Sequence, residues 1–245
     1  MGLPDVESLR TRNPDTTAFM GYRKAHSGPY AKDLRPFQVW VPLEAISPNL
    51  AHAVLIAEDD TFYRHHGFDF DQIREAIRIN WKKGRYAYGG STLTQQLARN
   101  LYLTPEKTLL RKAREAIIAW RIERMLTKRR ILEIYLNVAE WGPGIYGAQA
   151  AAQTFFGKEA SELTIEESIA LASALPSPGR LSPLHETESL SRRRRNILER
   201  MQQAGYLPTE SLLPADGTEG GERRDSSTPG SRDQAGRGTL SPHGS

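Results

Sequence analysis

Two glutamates stand in contexts that suit chemistry better than stability. The first, Glu58, ends an apolar helical stretch that begins at Ser47, and Asp59 follows it directly. A carboxylate at a helix C-terminus is unfavourable because the helix dipole places partial negative charge there. Its presence at such a place is a first indication of a purpose other than stability. Taken alone, however, this motif favours a solvated acidic pair, the ordinary interpretation of such residues at a helix end.

The second glutamate, Glu115, lies four residues after Arg111, so the two side chains share one helix face. Ile118 and Ile122 fall on the same face, which predicts a partly buried ion pair. An ordinary ion pair on a helix surface remains the alternative.

A third segment, residues 89–100 (GGSTLTQQLARN), places glycines and hydroxyls before a helix. Free N–H groups at a helix start can bind phosphate. The spacing differs from that of a P-loop, and a flexible hinge before a capped helix is an equal alternative.

The sequence gives little support for a metal site or for a nucleic-acid-binding surface. His65 and His66 are adjacent, so they point in different directions, and no third ligand is evident. A packed or capping histidine is the favoured interpretation. The basic run at residues 191–196 (SRRRRN) has no interleaved aromatics and predicts a solvated helix face. We therefore expect no metal site and no nucleic-acid partner.

The sequence contains N-terminal capping signals for the helices that must position these residues. Pro48 suits the first helical position because its missing N–H has no partner there in any case. A hydroxyl with a Glu or Gln three residues later predicts a capping box. The predicted N-terminal signals are Ser47 with Pro48, Thr92 with Gln95, and Thr164 with Glu167.

The strongest helix opens at Thr104 and Pro105 and carries one apolar stripe, formed by Leu109, Ala113, Ala116 and Trp120. Residues 128–158 are rich in apolar residues, Gly and Ala, and are predicted to be scaffold. A short strand is predicted within residues 36–46 (PFQVWVPLEAI). The body is therefore predicted to be mainly α-helical.

The 245 residues include no cysteine, 38% are hydrophobic, and the formal net charge is +4. This composition fits one domain whose stability depends on packing. The modest positive charge is compatible with any anionic partner. The longest uncharged apolar run, Ala51–Ala57, is far short of the roughly 18 residues that span a bilayer. We expect an N-terminal segment at 1–46, a domain at 47–208 and a disordered tail at 209–245. Any membrane anchor is expected to lie outside this sequence.

Five segments, taken in order, resemble glycosyltransferase family 51, the peptidoglycan glycosyltransferase domain of class A penicillin-binding proteins. They are EDDTFYRHHG (58–67), GGSTLTQQ (89–96), RKARE (111–115), KRRILEIYLN (128–137) and GPGIYGAQAAAQTFFGK (142–158). The resemblance covers about residues 13–208. Residues 13–20 (NPDTTAFM) and 137–147 are more similar to the monofunctional biosynthetic transglycosylases than to the bifunctional proteins.

The resemblance implies a reaction that joins lipid II units into β-1,4 glycan, with inversion and loss of undecaprenyl pyrophosphate. Glu58 matches the family's catalytic glutamate and is expected to be the general base. Glu115 matches the second glutamate, with an orienting or metal-assisting role. No cofactor is expected to be required, with Mg²⁺ or Mn²⁺ left open. The residues expected to bind substrate are Ser91, Thr92, Gln95, Gln96, Arg99, Lys107, Arg111, Lys112 and Arg114.

The implied fold is a lysozyme-like helical domain with a larger head lobe and a smaller, membrane-facing jaw near residues 80–105. Its expected location is the outer, periplasmic face of the bacterial cytoplasmic membrane. The expected partners are lipid II, the growing glycan chain, the membrane surface and the cell-wall synthesis machinery. From pattern alone, residues 101–103 fit either an interfacial segment or buried core. Glu75 stands where many family members carry a basic residue.

Two other functions compete with this one. A lysozyme-like glycan hydrolase would need an acid to protonate a poor leaving group, and the basic cluster around residues 99–114 argues against it. A non-catalytic scaffold that binds lipid or cell-wall partners is the other, and the intact pair of glutamates argues against that.

Overall fold

The computed structural model describes residues 2–26, 36–84, 90–106 and 108–207. All of them lie in one unit, residues 1–209. Helices dominate, which confirms the mainly α prediction. The α-helices are α1 Ala18–His26, α2 Pro48–Glu58, α3 Phe70–Lys83, α4 Leu93–Tyr102, α5 Leu109–Met125, α6 Lys128–Val138, α7 Ala148–Phe156, α8 Ile165–Ala174 and α9 Glu188–Gln203. Short 3₁₀ helices occupy Glu7–Arg10, Leu43–Ala45 and Ala160–Glu162. The predicted tail lies outside the described residues.

A small sheet joins the N-terminal segment to the loop after α6. Its strands are β1 Phe37–Gln38, β2 Glu140–Gly142 and β3 Ile145–Tyr146, in the order β1-β3-β2. β1 runs parallel to β3, and β2 runs antiparallel to it. The strand predicted within residues 36–46 is thus present, at Phe37–Gln38.

The core forms where α2 and α4 meet their neighbours. α2 packs against α8 and α9, and α4 packs against α1, α5 and α6. Leu93, Leu97 and Leu101 of α4 are all buried. Leu101 therefore belongs to the core, which removes the interfacial alternative for that residue.

The three predicted N-terminal signals are in place, with one difference in chemistry, but the helix predicted to open at Thr104 and Pro105 begins at Leu109, because Thr108 caps it. Thr92 and Thr164 both form capping boxes, as predicted. Ser47 occupies the N-cap position of α2 but makes no capping bond. Its hydroxyl instead donates to the Leu163 carbonyl at 2.9 Å, because α2 packs here against the chain that leads into α8.

The predicted apolar stripe of α5 faces outward. Leu109 and Trp120 are 91% and 48% exposed, whereas Glu115, Ile118 and Ile122 form the buried face. That face is buried because α4, α6 and the first 3₁₀ helix pack against α5. Among the helices that the structure describes, none combines the length and the hydrophobicity that a bilayer-spanning helix requires.

Candidate active site

Glu58 is the last residue of α2, and its two carboxylate oxygens have different partners. One oxygen accepts a hydrogen bond from the Gln96 amide at 2.9 Å, and the other accepts from Arg193 at 2.9 Å. The Gln96 carbonyl in turn accepts from the Tyr135 hydroxyl at 3.1 Å. Tyr135, on α6, is itself buried. The carboxylate is therefore held in one orientation by α4, α6 and α9.

Burial dominates the proton affinity of Glu58. Loss of hydration raises the pKa of its carboxyl above the ordinary value, although the Gln96 hydrogen bond and the charges of Arg193 and Arg99 oppose the rise. The neighbouring Asp59 adds to the rise through like-charge repulsion. A carboxylate whose pKa is raised binds a proton more readily, and this suits a general base.

Asp59 fixes the end of α2 through hydrogen bonds that its carboxylate accepts. Its carboxylate accepts hydrogen bonds from the His65 ring at 2.9 Å and from the Leu93 backbone N–H at 2.8 Å. The Gly67 N–H donates to the other ring nitrogen of His65, Nδ1, at 3.1 Å. In this arrangement Nδ1 is the acceptor, and the ring faces Asp59 with Nε2. The packed interpretation of His65 is confirmed.

The N-terminal turn of α4 is fixed by its own polar side chains. Gln95 accepts from the Thr92 N–H at 3.1 Å and Thr92 accepts from the Gln95 N–H at 3.3 Å, which closes the capping box. The Thr92 hydroxyl also donates to the Gly67 carbonyl at 2.7 Å. Both side chains are buried and bonded within the protein. Gln96, the next residue, is the one that reaches Glu58.

Glu115 lies in the middle of α5 between two cations. Arg111 donates to one carboxylate oxygen at 2.5 Å, and Lys112 donates to the other. The Glu115 side chain is 3% exposed and that of Arg111 is 17% exposed. The predicted buried ion pair is therefore confirmed.

The start of α4 and the residue before its N-cap link the two glutamates. Lys112 also donates to the Ser91 hydroxyl at 2.8 Å, one residue before the Thr92 N-cap. Glu58 is bonded to Gln96, five positions further along the chain. Both carboxylates are thus attached, directly or through Lys112, to residues 91–96.

The remaining predicted cations occupy different places. Arg99 is half-buried on α4 and acts electrostatically on Glu58. Arg114 is exposed on α5, and it has no hydrogen bond or ion pair with any residue that the structure describes. Lys107 lies outside the described residues.

The basic run on α9 is not merely a solvated face, and here the interpretation from the sequence was wrong. Arg193 pairs with Glu58, and Arg200 pairs with Asp60. The Nε of Arg193 is buried and has no partner among the described residues. The two arginines lie seven residues apart, on the side of α9 that carries the buried Ile197. That spacing was the available signal, because seven residues make two helical turns.

Two cavities formed by described residues border this site, and they differ in charge. The larger is about 660 Å³ and is lined by Gln96 and Tyr135 together with basic side chains of three different segments, Arg23, Arg99 and Arg180. Among the described residues that line it, Glu140 is the acidic one. The smaller cavity is about 170 Å³ and is acidic. It is lined by Ile56, Ala57, Glu58, Asp59, Asp60, Gln72, Glu75 and Arg200.

Comparison with known proteins assigns the chain to a family. The family model described as transglycosylase matches residues 31–202, which include both glutamates and Arg193. The chain belongs to the transglycosylase family. A protein of Azoarcus sp. (strain BH72) named biosynthetic peptidoglycan transglycosylase is 51% identical over 169 residues, 69% of this chain and 73% of the relative.

Two further relatives of this transglycosylase carry the same name. The protein of Nitrosospira multiformis is 45% identical over 192 residues, 78% of this chain and 84% of its own length. That of Paraburkholderia xenovorans is 44% identical over 199 residues, 80% of this chain and 81% of its own length. The similarity confirms the family resemblance noted from the five motifs.

The part of the transglycosylase that the structure describes contains no group of three or more His, Asp or Glu side chains placed to hold a metal ion. Its acidic side chains near the site pair instead with Arg193, Arg200, Arg111 and Lys112. In these residues, charge is therefore balanced by guanidinium and ammonium groups.

Proposed function

We propose that this transglycosylase polymerises peptidoglycan from lipid II. The growing glycan chain is the donor, and the 4-hydroxyl of a lipid II sugar is the acceptor. Undecaprenyl pyrophosphate leaves as the β-1,4 bond forms with inversion. The observation that carries the proposal is the mostly buried Glu58 carboxylate, which lines the acidic cavity and is bonded to Gln96, a residue that lines the cationic one.

Glu58 acts as the general base. The acceptor oxygen forms a bond to the anomeric carbon of the donor while the bond from that carbon to the diphosphate oxygen breaks. The hydroxyl proton passes to Glu58, whose raised pKa favours its capture. Attack on the face opposite the leaving group produces the inversion. Gln96 and Arg193 keep the carboxylate aimed during the transfer.

The cationic side chains stabilise the departing diphosphate. Arg99 lines the larger cavity and lies near enough to Glu58 to influence its charge. Glu115 holds Arg111 and Lys112 in fixed positions beside Ser91. Preorganised cations stabilise negative charge that develops in the transition state. We expect these groups to serve without a required metal ion, and a chelator tests that.

The membrane surface contacts α3. Phe70, Ile77 and Trp81 are 71%, 63% and 88% exposed and lie on one face of this helix. A row of basic side chains borders them, namely Arg74, Arg78 and Lys82. An exposed apolar face beside a basic row is typical of a helix that lies in a membrane interface. We place this face against the outer leaflet of the bacterial cytoplasmic membrane, where the lipid-linked substrate resides.

One observation also suits a glycan hydrolase, because a buried carboxyl with a raised pKa is what a hydrolytic general acid requires. Such an enzyme needs a second carboxylate as base or nucleophile. Asp59, adjacent to Glu58, is buried and fixes the chain by its bonds to His65 and the Leu93 N–H, and Asp60 is paired with Arg200. Polymerisation is therefore the better-supported activity.

Purified lipid II incubated with the protein tests the proposal. We expect a ladder of glycan products on a gel, blocked by moenomycin and maintained in the presence of a chelator. No fragments should be released from finished glycan. Fragment release without polymer would establish the hydrolase instead, and loss of activity in the chelator would establish a metal requirement.

A further inference from the structure

One wall of the larger cavity is formed by elements other than those that carry Glu58 and Glu115. α1 contributes Phe19 and Arg23, and the loop after α8 contributes residues 175–180, including Arg180. α1 comes before the region matched by the family model, residues 31–202. Arg99 enters the same cavity from α4.

Arg23 serves to attach α1 to the cavity. Its guanidinium donates to both oxygens of Glu140, at 2.7–3.1 Å. The Glu140 side chain is 3% exposed, so the ion pair neutralises a buried charge. Since Arg23 cancels Glu140, the cavity keeps the positive charges of Arg99 and Arg180.

Arg180 does not contribute to folding in the same way. Its side chain is exposed and makes no hydrogen bond or ion pair with any described residue. Its backbone, in contrast, is fixed, because the Arg180 N–H donates to Ser177 at 2.9 Å in a turn that contains Pro178. A guanidinium at the edge of a large cavity, on a fixed loop, can bind an anionic ligand.

The cavity is larger than a diphosphate alone requires. A volume near 660 Å³ lies within the range that holds a whole drug-sized ligand. If the proposed function holds, the diphosphate lies near Arg99, close to Glu58. The donor sugar and its substituents then fill the rest of the cavity. Among those substituents is the stem peptide, which carries carboxylates.

We propose that Arg180 binds a carboxylate of the stem peptide on the donor glycan, as an anion subsite separate from the one for the diphosphate. This subsite rests on the proposed function and adds to that function a residue that selects the peptide. Arg23 positions this wall through Glu140 and does not contact the carboxylate.

The experiment compares lipid II that has free peptide carboxylates with lipid II in which they are amidated. The wild-type protein should show a KM about threefold to fivefold lower for the free acid, the size expected of an exposed ion pair. The Arg180→Gln variant should lose this preference by raising the KM for the free acid alone. Its kcat should remain within about twofold, because Arg180 does not stabilise the leaving group.

Arg10→Gln is the matched control, since Arg10 is also exposed but lies in the first 3₁₀ helix and does not line the cavity. It should keep the wild-type preference. An equal rise of KM for both substrates in Arg180→Gln would overturn the proposal, as would no change at all. The same loss in Arg10→Gln would overturn it too, because net charge would then explain the effect.

A failure of the proposed function gives a different result. In that case the wild-type protein polymerises neither substrate. Binding of a soluble muramyl peptide, as the free acid and as the amide, then tests Arg180 by itself. Weaker binding of the acid alone in Arg180→Gln supports the subsite, and equal binding by both proteins overturns it.

Discussion

Glu58 and Glu115 are two carboxylates linked to one short segment, residues 91–96 at the start of α4, yet their surroundings differ. Glu58 ends a helix, accepts from one neutral amide and one arginine, and has a raised pKa because burial outweighs these partners. Glu115 lies within a helix and receives an arginine and a lysine from its own preceding turn. The difference shows how a protein makes one carboxylate a proton acceptor and the other a fixed anion.

The origin of the difference is local. A helix C-terminus presents carbonyl groups and partial negative charge, which disfavours a carboxylate. Positions three and four residues earlier on a helix face the same side, so Arg111 and Lys112 reach Glu115 without any tertiary contact. Glu58 must instead obtain its cation from α9, 135 residues away in sequence.

The largest expected effect is on catalysis, in Glu58→Gln. The amide retains the shape and can keep a contact with Gln96, but it cannot accept the proton. We expect the rate of lipid II polymerisation to fall by about 10²–10⁴-fold, the contribution of a general base. Glu166→Gln, at an exposed position in the first turn of α8, is the control and should retain full activity.

The same variant should not lose stability at neutral pH. Because burial raises the pKa of Glu58, the folded protein binds this proton more tightly than the unfolded chain does. The group therefore stabilises the fold at a pH below its unfolded pKa, and that contribution is lost as pH rises through the folded value. Glu58→Gln should be at least as stable as wild type at pH 8, and its advantage should shrink toward pH 4. A large loss of stability at pH 8 would contradict the assignment.

The next effect is on stability, in Glu115→Gln. This variant removes the partner of two cations, of which Arg111 is mostly buried and Lys112 is half exposed. The loss should be about 2–3 kcal/mol in the free energy of unfolding, mostly from Arg111, because exposed pairs contribute little. Urea denaturation at pH 7.5 measures it. If Glu58→Gln lost as much, the distinction between the two carboxylates would fail.

The sequence predicted contacts made within one helix, such as those of Glu115, better than contacts made between distant elements, such as those of Glu58. Contacts within one helix were predictable, including the Arg111–Glu115 pair and the capping boxes at Thr92 and Thr164. Contacts between distant elements were not. Arg193 reaches Glu58 only because α9 packs on α2, and the sequence shows only a run of four arginines. Similarly, the outward stripe of α5 depends on which neighbours cover the other face.

A smaller effect is expected on the pH profile, in Arg193→Gln. The charge of Arg193 lowers the pKa of Glu58, so its removal lets that pKa rise further. The base form is then lost at higher pH, and the acid limb of kcat/KM should move toward neutrality. Arg192→Gln is the matched control on α9, because Arg192 is exposed and pairs with Glu188. An unchanged limb in Arg193→Gln would show that Glu58 does not set the profile.

The smallest expected effect is in Ser91→Ala, which tests the link between Glu115 and α4. The Ser91 hydroxyl accepts from Lys112 at 2.8 Å, and its removal leaves Lys112 with Glu115 as its remaining partner. Lys112 is half exposed and can recover a bond to water, so the free energy of unfolding should fall by about 1 kcal/mol or less. Ser47→Ala is the comparison, because the buried Ser47 hydroxyl donates to the Leu163 carbonyl. That buried carbonyl would lose its side-chain donor, so Ser47→Ala should cost more stability, and yet only Ser91→Ala should raise the KM for lipid II. An equal rise of KM in both variants would show that Ser91 acts through general stability and not by positioning Lys112.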